Sequence, residues 1–212
     1  MIRIWQNLSD AIFHHAAERP GAPALIECDR PLSYADFASL VGKASVHLRD
    51  IGVGPGDRVG IALVNSADHL ILFYAAMRAG AVPIEISAQT SEAERDALAA
   101  KFGISLLFEE PDARAAASRR TIWVDAGWRA SIESRTGDFR HDDPGGDPFI
   151  VGLTSGSTGL PKGAIALHRH IQLRYRDALA ARAQSTAMAS RAAAMVARPV
   201  EKVTRLPSEM SL

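Results

Sequence analysis

The sequence has little cysteine, no excess of either charge and no long apolar run. Its 212 residues include one cysteine, Cys28, which excludes a disulfide within the chain and leads us to expect a reducing, cytoplasmic setting. Lysine plus arginine number 24, as do aspartate plus glutamate, so bulk charge gives no attraction to nucleic acid or to an anionic membrane. No apolar stretch reaches the roughly 18 residues of a membrane-spanning helix, and the N-terminus lacks the apolar core of a secretory signal. We therefore expect a soluble globular protein with neither nucleic acid nor membrane as a partner.

Strand and helix signals alternate along the first half of the chain. Short apolar runs with β-branched residues, such as Arg58–Val64, lie between amphipathic segments. Capping residues precede the predicted helices at Ser33, at Asn65 or Ser66, and at Ser91. This order predicts an α/β fold with a mostly parallel sheet flanked by helices and right-handed crossovers.

The most distinctive stretch is FIVGLTSGSTGLPKG, which runs from Phe149 to Gly163. An apolar strand enters a turn rich in glycine and hydroxyl residues, and a second apolar strand, Ala164–Leu167, leaves it. Exposed N–H groups in such a turn form a concave anion site, and Lys162 adds a positive charge on a flexible stem. The stretch therefore predicts a loop that holds a polyphosphate.

Two other interpretations of this loop are weaker. The Walker phosphate loop, G-x-x-x-x-G-K-[ST], requires a glycine where this chain has Pro161 and a hydroxyl where it has Gly163. A flexible glycine–serine linker would bind nothing, but apolar strands flank this turn on both sides.

TSGSTGLPKG resembles the phosphate-binding loop of the adenylate-forming superfamily, the AMP-dependent synthetases and ligases that include acyl-CoA synthetases. The resemblance covers roughly Ala11–His170 and includes the segments LSYADFASLVGKASVHLRDIGVGPGDRVGIALVNS and MRAGAVPIEIS. It implies that the loop holds the β- and γ-phosphates of ATP, used with Mg²⁺, while a carboxylate attacks the α-phosphate. By this resemblance the ATP-contacting positions are Thr154, Ser155, Gly156, Ser157, Thr158, Gly159 and Lys162.

Members of that superfamily are longer and carry groups that these 212 residues lack. The downstream Tyr-Gly-x-Thr-Glu segment with its magnesium ligand, a late aspartate for the ribose and a late lysine for the α-phosphate have no counterpart here. We therefore expect a partial N-terminal domain, an inactive fragment of an ATP-dependent acid–CoA ligase whose partners are ATP, a carboxylic acid and coenzyme A. Two alternatives stay open: a non-catalytic nucleotide-binding remnant, or one half of a split enzyme that a C-terminal polypeptide completes.

Composition divides the chain into four segments. These are an α/β subdomain over 1–134, an acidic Gly/Pro connector over 135–148, the phosphate-loop segment over 149–177, and an alanine-rich tail over 178–212 that is marginally helical or disordered. The connector's aspartates, Asp138, Asp142, Asp143 and Asp147, lack the spacing of a calcium loop, so we expect a solvated linker and no metal.

Three further expectations are local. Cys28 is predicted to be a small buried residue at the end of a strand, with a turn following at Asp29–Pro31. Residues 109–120 are predicted to form a loop or a short exposed helix. His168 begins a helix, where it is a capping residue, a core residue or the histidine that the superfamily often carries there.

Overall fold

The computed structural model describes residues 5–111, 120–142, 148–154 and 161–196. The elements in chain order are α1 (Asp10–Glu18), β1 (Pro23–Glu27), β2 (Arg30–Ser33), α2 (Tyr34–Asp50), β3 (Arg58–Ala62), α3 (Ala67–Arg78), β4 (Val82–Glu85), α4 (Glu92–Phe102), β5 (Ile104–Glu109), β6 (Thr121–Trp123), α5 (Ala126–Glu133), β7 (Pro148–Thr154), β8 (Lys162–Leu167) and α6 (His168–Val196).

The central sheet has six strands in the order β6-β5-β3-β4-β7-β8. Its neighbouring strands are parallel except β7 and β8, which form an antiparallel hairpin at one edge. Strands β1 and β2 pair in a separate two-stranded sheet. The predicted α/β fold with a mostly parallel sheet flanked by helices is confirmed.

The helices after β3 and β4 pack in different apolar clusters. Ile71 of α3 belongs to a large cluster with Val41 and Leu48 of α2. Leu98 of α4 belongs to a second cluster, with Val151 of β7. The chain thus leaves the adjacent parallel strands β3 and β4 toward two different packing layers. Where this happens in an open α/β sheet, a crevice forms between the carboxyl ends of the two strands.

Helix caps form where the sequence places them. The side chains of Ser33, Ser66 and Ser91 each accept a hydrogen bond from the backbone N–H three residues later. Ser91 and Glu94 form the complete capping box, and Gly103 ends α4 with a left-handed backbone at φ 61°. These caps fix both ends of α4, whose residue Phe102 lies against Gly163 of the β7–β8 hairpin.

The prediction for Cys28 is wrong. Strand β1 ends at Glu27, and Cys28 is exposed. Cys28 and Asp29 have φ values of 47° and 62° and form a two-residue turn between Glu27 and Arg30, which pair across the hairpin. Such a turn needs positive φ at both central residues, and glycine or asparagine, which usually signal it, are absent from this position. The turn therefore lies one residue earlier than predicted, and Arg30–Ser33 forms β2.

The first half of the acidic connector is docked, so its description as a solvated linker is wrong. Arg78, buried at the end of α3, donates to both carboxylate oxygens of Asp138. The Phe139 N–H donates to Ser45 Oγ at 3.0 Å, and the His141 N–H donates to the Arg78 carbonyl at 2.8 Å. Composition could not predict this docking, because the residues that contact the connector lie about sixty or more residues earlier in the chain. Asp143–Asp147 lie outside the described residues, and the proposed segment boundaries stay predictions.

Helix α5 has no counterpart among the predicted elements. Asp125 caps this helix by accepting a hydrogen bond from the Trp128 N–H at 2.8 Å. Trp128 and Ile132 are buried, so α5 adds to the larger apolar cluster.

Contacts divide the chain into two units, Met1–Leu173 and Arg174–Leu212. Helix α6 begins at His168 as predicted and continues to Val196. The described part of the second unit is helical, and its described side chains are mostly exposed. Residues 197–212 of the predicted tail lie outside the described residues. Among the helices described, none combines the length and the hydropathy that a membrane span requires.

Replacing Asp138 with alanine should destabilise the fold by about 2 kcal/mol, because it leaves the buried Arg78 guanidinium short of an acceptor. This is less than the roughly 3–5 kcal/mol typical of a broken buried pair, because the Asp138 side chain is 34% exposed and Asp10 still contacts Arg78 at 3.3 Å. Asp142→Ala is the matched control, since that side chain is fully exposed. Urea unfolding of both variants measures the difference, and equal midpoints would show that the Arg78–Asp138 pair contributes no stability.

Candidate functional site

The predicted phosphate loop lies at the tip of the β7–β8 hairpin. Strand β7 ends at Thr154, strand β8 begins at Lys162, and these two residues are register partners. The Thr154 hydroxyl donates to the Lys162 carbonyl oxygen at 3.2 Å and closes the hairpin where the loop begins. Of the predicted phosphate contacts, the structure thus brings Thr154 and Lys162 together. Ser155, Gly156, Ser157, Thr158 and Gly159 lie outside the described residues.

A cavity of about 380 Å³ opens beside the two ends of the loop. Because β7 is parallel to β4, their carboxyl ends lie at the same edge of the sheet, and the cavity lies between them. Its polar lining includes Glu85, Ser87, Thr90 and Thr154, and Pro161 contributes from the exit of the loop. Crevices at the carboxyl ends of parallel strands are the usual ligand sites of open α/β sheets.

The backbone after Lys162 packs closely against α4. A Cβ atom added at Gly163 would lie 2.7 Å from Cε1 of Phe102 and 2.8 Å from Cγ1 of Val151. A larger residue at this position would therefore force the Phe102 and Val151 side chains or the β8 backbone to shift. Glycine here allows the hairpin to lie directly on the end of α4, while the Lys162 side chain remains exposed.

A buried ion pair holds the β4–α4 loop that lines the cavity. Arg95 Nη1 contacts Glu109 Oε1 at 2.8 Å, and Arg95 Nη2 donates to the Ala88 carbonyl at 2.7 Å. Glu109 is 1% exposed at the end of β5, so its placement in a loop or an exposed helix is wrong. The available signal was a charged residue directly after the buried run Ile104–Phe108, at the carboxyl edge of the sheet.

A histidine–glutamate pair lies at the same edge. His69 Nε2 lies 3.0 Å from Glu85 Oε1, and this hydrogen bond raises the pKa of His69 above its ordinary 6.5, although partial burial acts in the opposite direction. Both residues also line a cavity of about 510 Å³, with Glu27 on its wall. When protonated, His69 offsets the charge of Glu85, which also lines the cavity beside Thr154. Neither residue was singled out in the sequence, because they lie 16 residues apart on different elements.

His168 is a core residue at the base of the hairpin. It is 2% exposed, its Nδ1 accepts a hydrogen bond from the Leu8 N–H at 3.0 Å, and its ring lies 5.6 Å from that of Phe149. These contacts join the start of α6 to the N-terminal segment and to β7. No set of three or more histidine, cysteine, aspartate or glutamate side chains in the described residues is arranged to hold a metal ion.

The family model for AMP-binding enzymes matches residues 12–200 of this chain. The chain belongs to the AMP-binding enzyme family. This family includes acyl-CoA ligases and the adenylation domains of peptide synthetases, and its members generally use ATP and Mg²⁺. Membership confirms the resemblance that the loop motif carries and supports adenylate-forming chemistry.

Feruloyl-CoA synthase from an Amycolatopsis species is 31% identical over 201 residues, which are 92% of this chain and 39% of that protein. The nonribosomal peptide synthetase ungA' of Aspergillus campestris is 28% identical over 174 residues, 80% of this chain and 2% of that protein. The chain thus spans about two fifths of its CoA-synthase relative and a small part of the peptide synthetase.

A solved structure of the N-terminal subdomain of NpsA from Klebsiella oxytoca, in complex with 3-hydroxybenzoyl-AMSN, has the same fold. Its TM-score is 0.66 at 24% identity, and the match covers 78% of this chain and 42% of that chain. The predicted fold of the N-terminal domain of adenylate-forming enzymes is therefore confirmed.

Replacing Glu85 with glutamine should lower the pKa of His69, because the carboxylate that stabilises the imidazolium is lost and burial then dominates. A raised pKa in the folded state stabilises the protein below the unfolded value of 6.5 and loses this effect as pH rises through the folded value. Glu85→Gln should therefore destabilise most near about pH 5.5 and least above the folded pKa.

NMR titration of the His69 ring and unfolding at several pH values measure the two effects. Glu92→Gln, at an exposed position in the first turn of α4, is the control. An unchanged His69 titration in Glu85→Gln would show that the carboxylate does not stabilise the imidazolium.

Proposed function

We propose that this chain holds the β- and γ-phosphates of ATP in an adenylate-forming enzyme, while a carboxylate attacks the α-phosphate to give an acyl-adenylate and pyrophosphate. The observation that carries the proposal is the pairing of Thr154 with Lys162 across the mouth of the loop, beside a cavity at the carboxyl edge of the sheet. A loop with both ends fixed on adjacent strands presents its backbone to a ligand at small entropic cost.

The chemistry asks mainly for positioning and electrostatic stabilisation. Negative charge builds on the phosphoryl oxygens as the carboxylate attacks, and each well-placed donor is typically worth about 10²–10³ in rate. Lys162 supplies a full positive charge at the loop exit. The Thr154 hydroxyl donates its one proton to the Lys162 carbonyl oxygen. Thr154 therefore closes the loop and has no proton left to donate to a phosphate.

The described residues fit the polyphosphate better than the metal. An exposed lysine and the two ends of a glycine- and hydroxyl-rich loop suit a chain of phosphate groups. The magnesium that the family uses would neutralise phosphate charge when bound. Within the ranges that the structure describes, no cluster of carboxylates suits that ion.

For the substrate, we propose a carboxylic acid with coenzyme A as the acyl acceptor. Support comes from the greater extent of the match to feruloyl-CoA synthase, which covers 92% of this chain against 80% for the peptide synthetase. The NpsA subdomain was solved in complex with 3-hydroxybenzoyl-AMSN, so a protein of this fold holds a compound that contains the acyl group of an aromatic acid. The chain spans about two fifths of the CoA-synthase relative. We therefore propose the acid and coenzyme A as substrates of the complete reaction, and we propose only the polyphosphate contacts for this chain.

Removing the Lys162 charge should weaken ATP much more than AMP. We expect Lys162→Ala to raise the dissociation constant for ATP by about tenfold or more, since a hydrogen bond to a charged group contributes about 1.5–3 kcal/mol. Affinity for AMP should change by less than about twofold, because AMP lacks the phosphates that Lys162 would contact.

Equilibrium binding of ATP and AMP by calorimetry measures both constants. Lys43→Ala, a lysine on α2 whose Nζ donates to the Glu133 carbonyl, serves as the control and should bind both nucleotides as the wild type does. Equal losses for ATP and AMP, or no loss for either, would remove Lys162 from the phosphate site.

A further inference from the structure

We propose that Lys101 is a positioning residue that holds the exit of the phosphate loop and thereby places Lys162. The proposal rests on the proposed function of Lys162. Lys101 lies in the last turn of α4, and its Nζ donates a hydrogen bond to the Pro161 carbonyl oxygen at 2.8 Å. Pro161 directly precedes Lys162, so this bond fixes the peptide group from which the Lys162 backbone starts.

Helix α4 is a firm support for such a bond. Its N-terminus has the complete Ser91–Glu94 capping box, and its C-terminus ends in the left-handed Gly103. Arg58 of β3 donates from Nη1 to the Phe102 carbonyl at 2.7 Å. The end of α4 is therefore tied to the centre of the sheet rather than to the hairpin alone.

A second contact from the same helix end acts on the other side of Lys162. The Phe102 ring lies so close to Gly163 that a Cβ atom there would be 2.7 Å from its Cε1. Lys101 thus holds the residue before Lys162, and Phe102 packs on the residue after it. Consecutive residues of α4 constrain the backbone on both sides of the lysine that is proposed to bind phosphate.

This arrangement differs from an ordinary surface hydrogen bond. A lysine-to-carbonyl bond of the same kind joins Lys43 Nζ to the Glu133 carbonyl at 3.1 Å, on elements that do not carry the loop. If both bonds were merely structural, their loss would have similar effects on stability and none on nucleotide binding. If Lys101 positions Lys162, loss of the Lys101 bond weakens ATP binding and loss of the Lys43 bond does not.

The test is ATP affinity in a double-mutant cycle with the 212-residue chain. Lys101→Met should weaken ATP binding about three- to tenfold, as expected for the loss of one hydrogen bond, and Lys101→Arg should restore affinity to within about twofold. Lys43→Met should bind ATP as the wild type does. In the Lys162→Ala background, Lys101→Met should have less than about 1.5-fold further effect, because a positioning residue acts through the group that it positions.

Each other outcome overturns a defined part of the account. Wild-type affinity in Lys101→Met, or an equal loss in Lys43→Met, would show that the Pro161 contact does not position the loop. Additive losses in the double mutant would show that the Lys101 charge acts on the phosphates directly, and would also overturn the proposal. If Lys162→Ala alone leaves ATP affinity unchanged, the proposed function of Lys162 fails instead.

Discussion

The antiparallel pairing of β7 with β8 constrains the whole candidate site. Strand β7 runs parallel to the four strands before it in the sheet, so its end lies at the carboxyl edge, where α/β sheets bind ligands. The return strand begins with Lys162, which is the register partner of Thr154. The two ends of the loop are therefore held side by side, with Lys162 at its exit.

The surroundings of the hairpin are held by charged and polar contacts between distant segments. Arg78 draws the connector toward the end of α3, Arg95 holds the β4–α4 loop, and His69 holds Glu85. Each contact involves at least one partially or wholly buried group, so removing a single partner leaves the other poorly satisfied. Of these contacts, the one from Arg95 holds the loop whose residues Ser87 and Thr90 line the cavity, and the one from His69 holds Glu85 in its wall.

Local signals in the sequence predicted much of the fold and the family of the chain. The caps at Ser33, Ser66 and Ser91, the apolar strands and the TSGSTGLPKG motif all depend on neighbouring residues, and the structure or the family model bears them out. The Glu27–Arg30 turn, the docking of Asp138 and the burial of Glu109 were missed. Each of these depends on backbone geometry without its usual residue signature or on partners far away in sequence, which composition and spacing do not record. Lys101 was missed for the same reason, since its contact with Pro161 spans 60 residues.

The most direct test of the central claim is affinity labelling with an ATP derivative that carries an acyl group on its terminal phosphate. A lysine amine lying against that phosphate attacks the acyl carbonyl, forms an amide and releases the nucleotide. Mass spectrometry should find the acyl group on Lys162 well above Lys43, and an excess of ATP should protect Lys162 alone of these two. Labelling of Lys162 no greater than that of Lys43, or labelling that excess ATP does not reduce, would contradict the account.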